Sequence, residues 1–187
     1  MSPDDRLASL DAFRGLAIAS MVLVNNPGDW GHLHAPLAHA AWHGWTITDL
    51  VFPGFLFAAG LAMPISLGRR AAAGDDRAAL LAATAKRVAI IFLVGLALNF
   101  IPEFDLATIR VPGVLQRIAL CVLVAAPVVI WGGWRASLAA ALALLAVHSA
   151  GMLAIPVADA NGVVAAGALE PGRDFGSRID RAVFGAH

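Results

Sequence analysis

The amino-acid sequence predicts an all-α, polytopic transmembrane helical bundle whose apolar segments cross the bilayer about five times. Three observations predict it. Of the 187 residues, 59% are hydrophobic and only 14% charged, against about 45–50% and about 25% in a soluble domain. Mean hydropathy is +0.76. The apolar residues also gather into runs close to the roughly 20 residues that a spanning helix needs. Such a chain has too little charged surface to clothe a water-soluble domain. Its net charge is zero, so no basic excess points to nucleic acid. The single cysteine, Cys121, lies inside an apolar run and excludes a disulfide framework.

The first helix is expected over 7–24, closing at Asn25-Asn26-Pro27-Gly28 and carrying two charges, Asp11 and Arg14. The residues before it include Asp4, Asp5 and Arg6, and no small-residue cleavage site follows, so it reads as a retained helix that also serves as insertion signal. The second is expected over 46–67 with Pro53 and Pro64 inside it. Transmembrane helices accept proline because neighbouring groups re-satisfy the freed carbonyls. The third, over 88–100, is short, with Lys86 and Arg87 snorkelling from its first turn. The fourth covers 111–131, with Gln116 and Arg117 near its start, and the fifth covers 136–155, rich in Ala and Leu. Residues 157–187 mix Gly, Asp and Arg with little apolar periodicity and read as a non-cytoplasmic loop. The chain is thus expected to be a single transmembrane domain, truncated in this polar segment and part of a longer bundle.

Lys and Arg placement sets the expected orientation. Arg69, Arg70, Arg77, Lys86 and Arg87 lie between the second and third helices, Arg135 lies in the turn between the fourth and fifth, and Arg6 in the N-terminal tail. The loop between the first two helices holds no Lys or Arg, and the next loop on that side holds only Arg110. A multi-pass protein of the inner (plasma) membrane with a cytoplasmic N-terminus follows, its His-rich loop 25–45 on the far side. Trp131 and Trp134 bracket one turn, and Trp30, Trp42 and Trp45 sit in the opposite loop. They read as interfacial anchors or, for the loop set, as a wall facing substrate.

Charges inside lipid are costly and mark function unless they are merely paired. Asp11 and Arg14 are three residues apart, on one helical face, where they can pair. The pair either locks the first helix to its neighbours or leaves Arg14 free to hold a phosphate in a cytoplasmic cavity. Arg117, with Gln116, offers a second such group, but it enters the fourth helix from the far side and would serve the opposite end of the same cavity. The densest polar cluster lies between the first two helices: Asn25, Asn26, Asp29, His32, His34, His39, His43, Thr46, Thr48 and Asp49. The histidine spacings match no compact zinc pattern, so no metal is expected. Thr46 or Thr48 can cap the second helix, with Asp49 in its first turn. Asp49 is then either a helix-start residue only, or a carboxylate that orients the His39 imidazole for proton transfer or acyl uptake.

At these residues the sequence resembles the heparan-α-glucosaminide N-acetyltransferase family. The resemblance rests on Arg6-Leu7-Ala8-Ser9-Leu10-Asp11-Ala12-Phe13-Arg14-Gly15, on Met21-Val22-Leu23-Val24-Asn25-Asn26-Pro27-Gly28, on the run from His39-Ala40-Ala41-Trp42-His43-Gly44-Trp45-Thr46-Ile47-Thr48-Asp49 through Pro53, and on Arg110-Val111-Pro112-Gly113-Val114-Leu115-Gln116-Arg117-Ile118-Ala119. It implies an acetyl-CoA-dependent acyltransferase that moves an acetyl group from cytoplasmic acetyl-CoA to an amino sugar across the membrane. It places the family's active-site histidine on His39, an active-site asparagine on Asn25 and the helix-start aspartate on Asp49. His43-Gly44 stands where eukaryotic relatives carry Asn-Gly, a variant associated with bacterial members. Arg14 with its partner Asp11, and Gln116 with Arg117, are the expected contacts to the CoA moiety. The implied partners are the bilayer, acetyl-CoA and an amino-sugar acceptor. That this chain is the N-terminal half of the bundle is also what the resemblance, which covers much of residues 6–120, implies.

Other function classes fit parts of the sequence. A small-solute (sugar) transporter accounts for intramembrane charge and proline-broken helices, yet no internal repeat is evident. A structural membrane protein accounts for the Ala/Leu-rich fifth helix and leaves the polar loop unexplained. Small residues at Gly15, Ala19, Gly60 and Gly95 permit close helix contacts within one chain or in a homodimer.

Overall fold

The computed structural model describes residues 7–101, 104, 113–158, 164–167 and 169–184. Arg6, Arg110, Val111 and Pro112, used above for charge asymmetry, for the start of the fourth helix and for the resemblance, lie outside the described residues. The helices are α1 (Ala8–Asn25), α2 (Ile47–Met63), the short α3 (Arg69–Ala72), α4 (Arg77–Phe100), α5 (Val114–Pro127), α6 (Gly133–Ala154) and α7 (Phe175–Phe184). Between α6 and α7 a two-stranded antiparallel hairpin pairs β1 (Val157–Ala158) with β2 (Val164–Ala165).

Four helical stretches are long and apolar enough to cross a membrane: Ala8–Asn25, Ile47–Ala72, Arg77–Phe100 and Val114–Ala154. The last has 41 residues, ~60 Å at 1.5 Å per residue, about twice the hydrocarbon core. It is interrupted where the expected fourth and fifth spans meet. A π turn at Val128–Gly132 follows Pro127, and Gly133 then takes φ +65°, a left-handed value that suits glycine. Counted through the π turn, Val114–Gly132 is ~28 Å long and α6 ~33 Å, each close to one hydrocarbon core.

Side-chain exposure is inverted relative to a water-soluble protein. Leu16, Val124 and Leu144 are 64–66% exposed, while the buried positions include Ala17, Ala58, Ala119 and Ala126. Small residues let helices approach closely, and the large aliphatic ones face lipid.

The chain divides into two units, Met1–Ser66 and Leu67–His187. In the first, α1 packs beside α2, with the Phe13 and Phe57 rings edge to face at 6.5 Å. Consecutive spans of one bilayer run antiparallel, so Asn25 at the end of α1 and Asp49 in the first turn of α2 share one end of the pair. From Phe13 to Asn25 is ~18 Å along the axis, and from Phe57 to Asp49 ~12 Å. Asn25 and Asp49 therefore lie in neighbouring layers. Pro64 opens a π turn (Pro64–Gly68), where the Ser66 hydroxyl lies 2.9 Å from the Ala62 carbonyl and supplies a bond to the loosened ladder.

In the second unit α4 begins at Arg77, eleven residues before the expected start at 88. Asp76 accepts a hydrogen bond from the Ala78 N–H at 2.9 Å and caps the helix. The Ala-rich polar stretch that follows has high helix propensity even though it is not apolar. Lys86 and Arg87 accordingly sit in the third turn rather than the first. Leu80, Thr84, Val88 and Gly95 are the buried positions of α4. Gly95 faces α5: a Cβ there would stand 2.8 Å from Leu115 Cβ and 2.9 Å from Gln116 Oε1. Residues 157–187 depart from the expected plain loop, since the hairpin and α7 occupy much of the segment.

Candidate active site

The first turn of α2 holds the loop before it by four contacts. Thr46 and Asp49 form a capping box, in which the Asp49 carboxylate accepts the Thr46 N–H at 2.9 Å. The second carboxylate bond at the same oxygen, Oδ2, comes from the Ala40 N–H at 3.1 Å. The Thr46 hydroxyl donates to the Ala38 carbonyl at 2.6 Å, and the Thr48 hydroxyl reaches the Pro36 carbonyl at 3.5 Å. The peptide groups on both sides of His39 are thus tied to the start of α2. The fourth contact is to the side chain itself: His39 Nδ1 lies 2.6 Å from Asp49 Oδ1.

This geometry assigns the imidazole tautomer. An ionised carboxylate has no proton to give, so at 2.6 Å the Nδ1 must be the donor. In the neutral ring the other nitrogen, Nε2, then carries the lone pair. The His39 side chain is 72% exposed and Asp49 only 26%, so the carboxylate is shielded and the ring projects outward. A carboxylate behind an imidazole whose far nitrogen is free is the arrangement of a general base or a nitrogen nucleophile. Sequence reasoning offered the His39–Asp49 pairing as one of two readings of Asp49 and named Thr46 or Thr48 as the cap. It missed the Ala38, Ala40 and Pro36 bonds, which leave no signal in sequence spacing.

Other polar residues of the loop are distributed differently. Asn25 is exposed, and its side chain makes no hydrogen bond among the described residues. Asn26 bonds back to the Val22 carbonyl at 2.9 Å and closes α1. His32 Nδ1 meets Asp29 Oδ2 at 2.6 Å, and the Gly31 N–H meets Asp29 Oδ1 at 2.8 Å. The bond from His32, then that from Gly31, hold the Asp29 carboxyl below the usual carboxylate range against a small burial cost. His34 and His43 are exposed.

The residues expected to meet a CoA moiety fall in both units. On α1, Arg14 Nη1 is 3.8 Å from Asp11 Oδ1, too long for a hydrogen bond. The pair is therefore a loose one. On α5, Arg117 is exposed, whereas Gln116 is only 2% exposed. Both amide atoms of Gln116 lack a hydrogen-bond partner among the described residues. A Cβ on Gly113 would collide with the Gln116 amide and stand 2.8 Å from Asn99 Nδ2. Gly95, Gly113, Asn99 and Gln116 thus form a polar, tightly packed seam between α4 and α5, in which sequence reading had singled out only Gln116 as a site residue. Buried amides without partners are rare in folded proteins.

The comparison with known protein families bears on this loop and these helices together. A family model described as "Heparan-alpha-glucosaminide N-acetyltransferase, catalytic" matches residues 6–174. The chain belongs to this family. The heparan-alpha-glucosaminide N-acetyltransferase of Homo sapiens is 35% identical over 126 residues, 65% of this chain and 18% of the human protein. That of Mus musculus is 33% identical over 130 residues, 67% of this chain and 19% of the mouse protein. The chain thus spans about a fifth of the length of these N-acetyltransferase relatives. Asp11, Arg14, Asn25, His39, Asp49, Gln116 and Arg117 all fall inside the segment matched by the N-acetyltransferase family.

Proposed function

We propose that this chain is the catalytic-site portion of a membrane acyltransferase that moves an acetyl group from acetyl-CoA to the amine of an amino sugar. The observation that carries the reading is the His39–Asp49 pair, which leaves Nε2 free in an exposed loop at one end of the α1–α2 pair. Family membership supports the acetyl donor and the amine acceptor. The absence of Lys and Arg from loop 25–45, against their density over 69–87, supports a cytoplasmic N-terminus in the inner (plasma) membrane, with acetyl-CoA entering from the cytoplasm and the acceptor on the far side.

Two routes use the same atoms. In direct transfer, the amine nitrogen attacks the thioester carbonyl, Nε2 takes the amine proton, the C–S bond breaks, and the imidazolium returns the proton to the departing thiolate. In the two-step route, Nε2 first attacks the carbonyl, the C–S bond breaks and CoA leaves as the thiolate, so that the ring is an acetyl-imidazolium facing Asp49. The amine nitrogen then attacks the acetyl carbon, the bond from that carbon to Nε2 breaks, and the proton released by the amine passes to the thiolate or to water. In both, Asp49 pairs with whatever positive charge develops on the ring. Asn25, in a neighbouring layer and with its amide free of other bonds, donates to the carbonyl oxygen as it becomes an oxyanion, a contact whose removal typically costs ~10²–10³ in rate. Arg14, beside Asp11, is the group proposed for the CoA phosphates.

The test is His39→Ala in the full-length protein in proteoliposomes, with labelled acetyl-CoA and glucosamine. The expected result is a fall in kcat of ~10²–10⁴. Transfer at near-normal rate by the variant rejects both routes. Rapid quench of the native enzyme separates them: labelled protein in the first turnover marks the acetyl-imidazole route, and its absence marks direct transfer. A sugar transporter, the alternative reading, binds no acetyl-CoA.

A further inference from the structure

The helix α7 lies beyond the last long apolar stretch, and its placement follows from α6. At 22 residues, α6 is ~33 Å long, about the thickness of one hydrocarbon core. It stops at Ala154, and Ile155 takes an extended conformation before Pro156. Gly151, one turn from that end, therefore sits at a bilayer boundary. The Phe175 ring packs on Gly151, since a Cβ there would stand 2.9 Å from Phe175 Cδ1 and Cε1. Arg178 Nη1 lies 3.4 Å from the Pro156 carbonyl. The first two turns of α7 are thus fastened to the chain at the level where α6 leaves the lipid.

Its start is well made. Asp174 caps it, accepting the Ser177 N–H at 2.9 Å and the Ser177 hydroxyl, while the Arg178 N–H bonds the Asp174 carbonyl at 3.2 Å. Arg173 is paired with Glu170 at 2.5 Å. Phe175, Ile179 and Ala182 recur at spacings of four and three, one apolar face of a helix, and Arg178, three residues after Phe175 and four before Ala182, stands at the edge of that face. Ile179 is 44% exposed.

We infer that α7 is an interfacial helix, lying along the membrane surface with its Phe175–Ile179–Ala182 face against acyl chains and Arg178 in the headgroup layer. The occupant of the exposed face is the lipid surface because α6, to which α7 is fastened, presents its own large aliphatic side chains outward along its whole length. The two apolar surfaces are continuous at Gly151. A helix of this kind buries its apolar face ~5–10 Å into the boundary between headgroups and chains.

The test uses the full-length protein in phosphatidylcholine vesicles, in a Cys121→Ser background with a nitroxide at 178, 179 or 182 in turn. Collision rates with oxygen and with a water-soluble nickel chelate give depth. Labels at 179 and 182 are expected ~5–10 Å below the headgroup boundary, and the label at 178, at the edge of the face, shallower than both. Equal access of the nickel reagent to all three overturns the inference. So does shielding of 179 and 182 from both reagents, which would mean that protein, from a second copy or another segment, covers the face. The native chain supplies a check free of substitutions. A diazirine carried on lipid acyl chains is expected to modify the 175–182 peptide, and a peptide left unmodified while α6 is labelled overturns the inference as well.

Discussion

The sharpest consequence of the His39–Asp49 geometry concerns Asp49→Asn. Asp49 Oδ2 receives two backbone donors, the Ala40 N–H at 3.1 Å and the Thr46 N–H at 2.9 Å, and Oδ1 receives the imidazole at 2.6 Å. Asparagine has a single carbonyl oxygen. Directed at the backbone pair, it keeps both of those bonds and turns its NH2 toward Nδ1. Directed at the ring, it sets an NH2 against two N–H groups, losing two bonds and opposing like dipoles. The first arrangement wins, and facing an NH2 the ring can only accept at Nδ1. The proton then resides on Nε2, where the lone pair had been. The side chain keeps its size and position while the reacting nitrogen loses the electrons it needs.

The contribution of a positioned base is ~10²–10⁴ in rate, and that is the expected loss in kcat for Asp49→Asn. KM for acetyl-CoA should stay within about twofold, the pattern of an interaction made only in the transition state. The assay is steady-state acetyl transfer by the full-length protein in proteoliposomes, paired with long-range nitrogen–proton NMR of labelled histidine. The spectrum reports the proton on Nδ1 in the native protein and on Nε2 in the variant. If kcat remains within about threefold of the native value, or the proton stays on Nδ1 in a variant that has lost activity, the tautomer reasoning is wrong.

Other residues give further expectations. Thr46→Val removes the hydroxyl that holds the Ala38 carbonyl but keeps the backbone donor to Asp49; it is expected to lower stability by about 1 kcal/mol, a normal capping loss, and to reduce kcat, with Thr46→Ser restoring both, as read by thermal unfolding in detergent and by the transfer assay. Gln116→Leu removes two buried amide atoms that lack partners among the described residues, a burden of about 1–3 kcal/mol, so the unfolding midpoint without ligand is expected to rise. The Asp29 carboxyl sits below its ordinary range in the folded loop, so its contribution to loop order is full above that range and lost as pH falls through the lowered value. Hydrogen exchange of the Gly31 amide is therefore expected to accelerate on acidification, and Asp29→Asn to make it fast and nearly independent of pH after correction for intrinsic exchange.

How legible these features were in the sequence depended on what each one rests upon. The end of α1 was plain because Asn25-Asn26-Pro27-Gly28 combines side chains that favour turns with a residue lacking an N–H. The start of α2 was plain because Thr46-x-x-Asp49 is a capping pattern set before an apolar run. The start of α4 was not, since hydropathy reports depth in lipid rather than helicity, and 77–87 is helical but polar. Asp76 followed by an Ala-rich stretch was the signal that could have found it. In α7 the apolar face is only a few residues long and follows a glycine-rich segment, so periodicity is weak, although Asp174 three residues before Ser177 marks a cap. Within the site, local spacing revealed the aspartate and its helix, and the family resemblance selected His39 among the loop histidines. The tethers at Pro36, Ala38 and Ala40 are contacts between a loop and a helix start, which periodicity cannot encode.

In the proposed reaction the α1–α2 pair separates two tasks along its length. Arg14 lies eleven residues before Asn25, ~16 Å along the axis, so one side chain cannot both hold the phosphates of a donor and touch its acyl carbon. A donor gripped near Arg14 must carry its acyl group on an extended arm toward the end of the pair, where Asn25 and the His39–Asp49 pair stand in neighbouring layers. At that end the imidazole is fixed by bonds on either side of its own peptide, and so it need not be ordered again when the thioester arrives. Preorganisation of this kind is where a positioned base gains over one free in a loop. It also accounts for the polar groups gathered between Asn25 and Asp49, at the end of the pair away from Asp11 and Arg14.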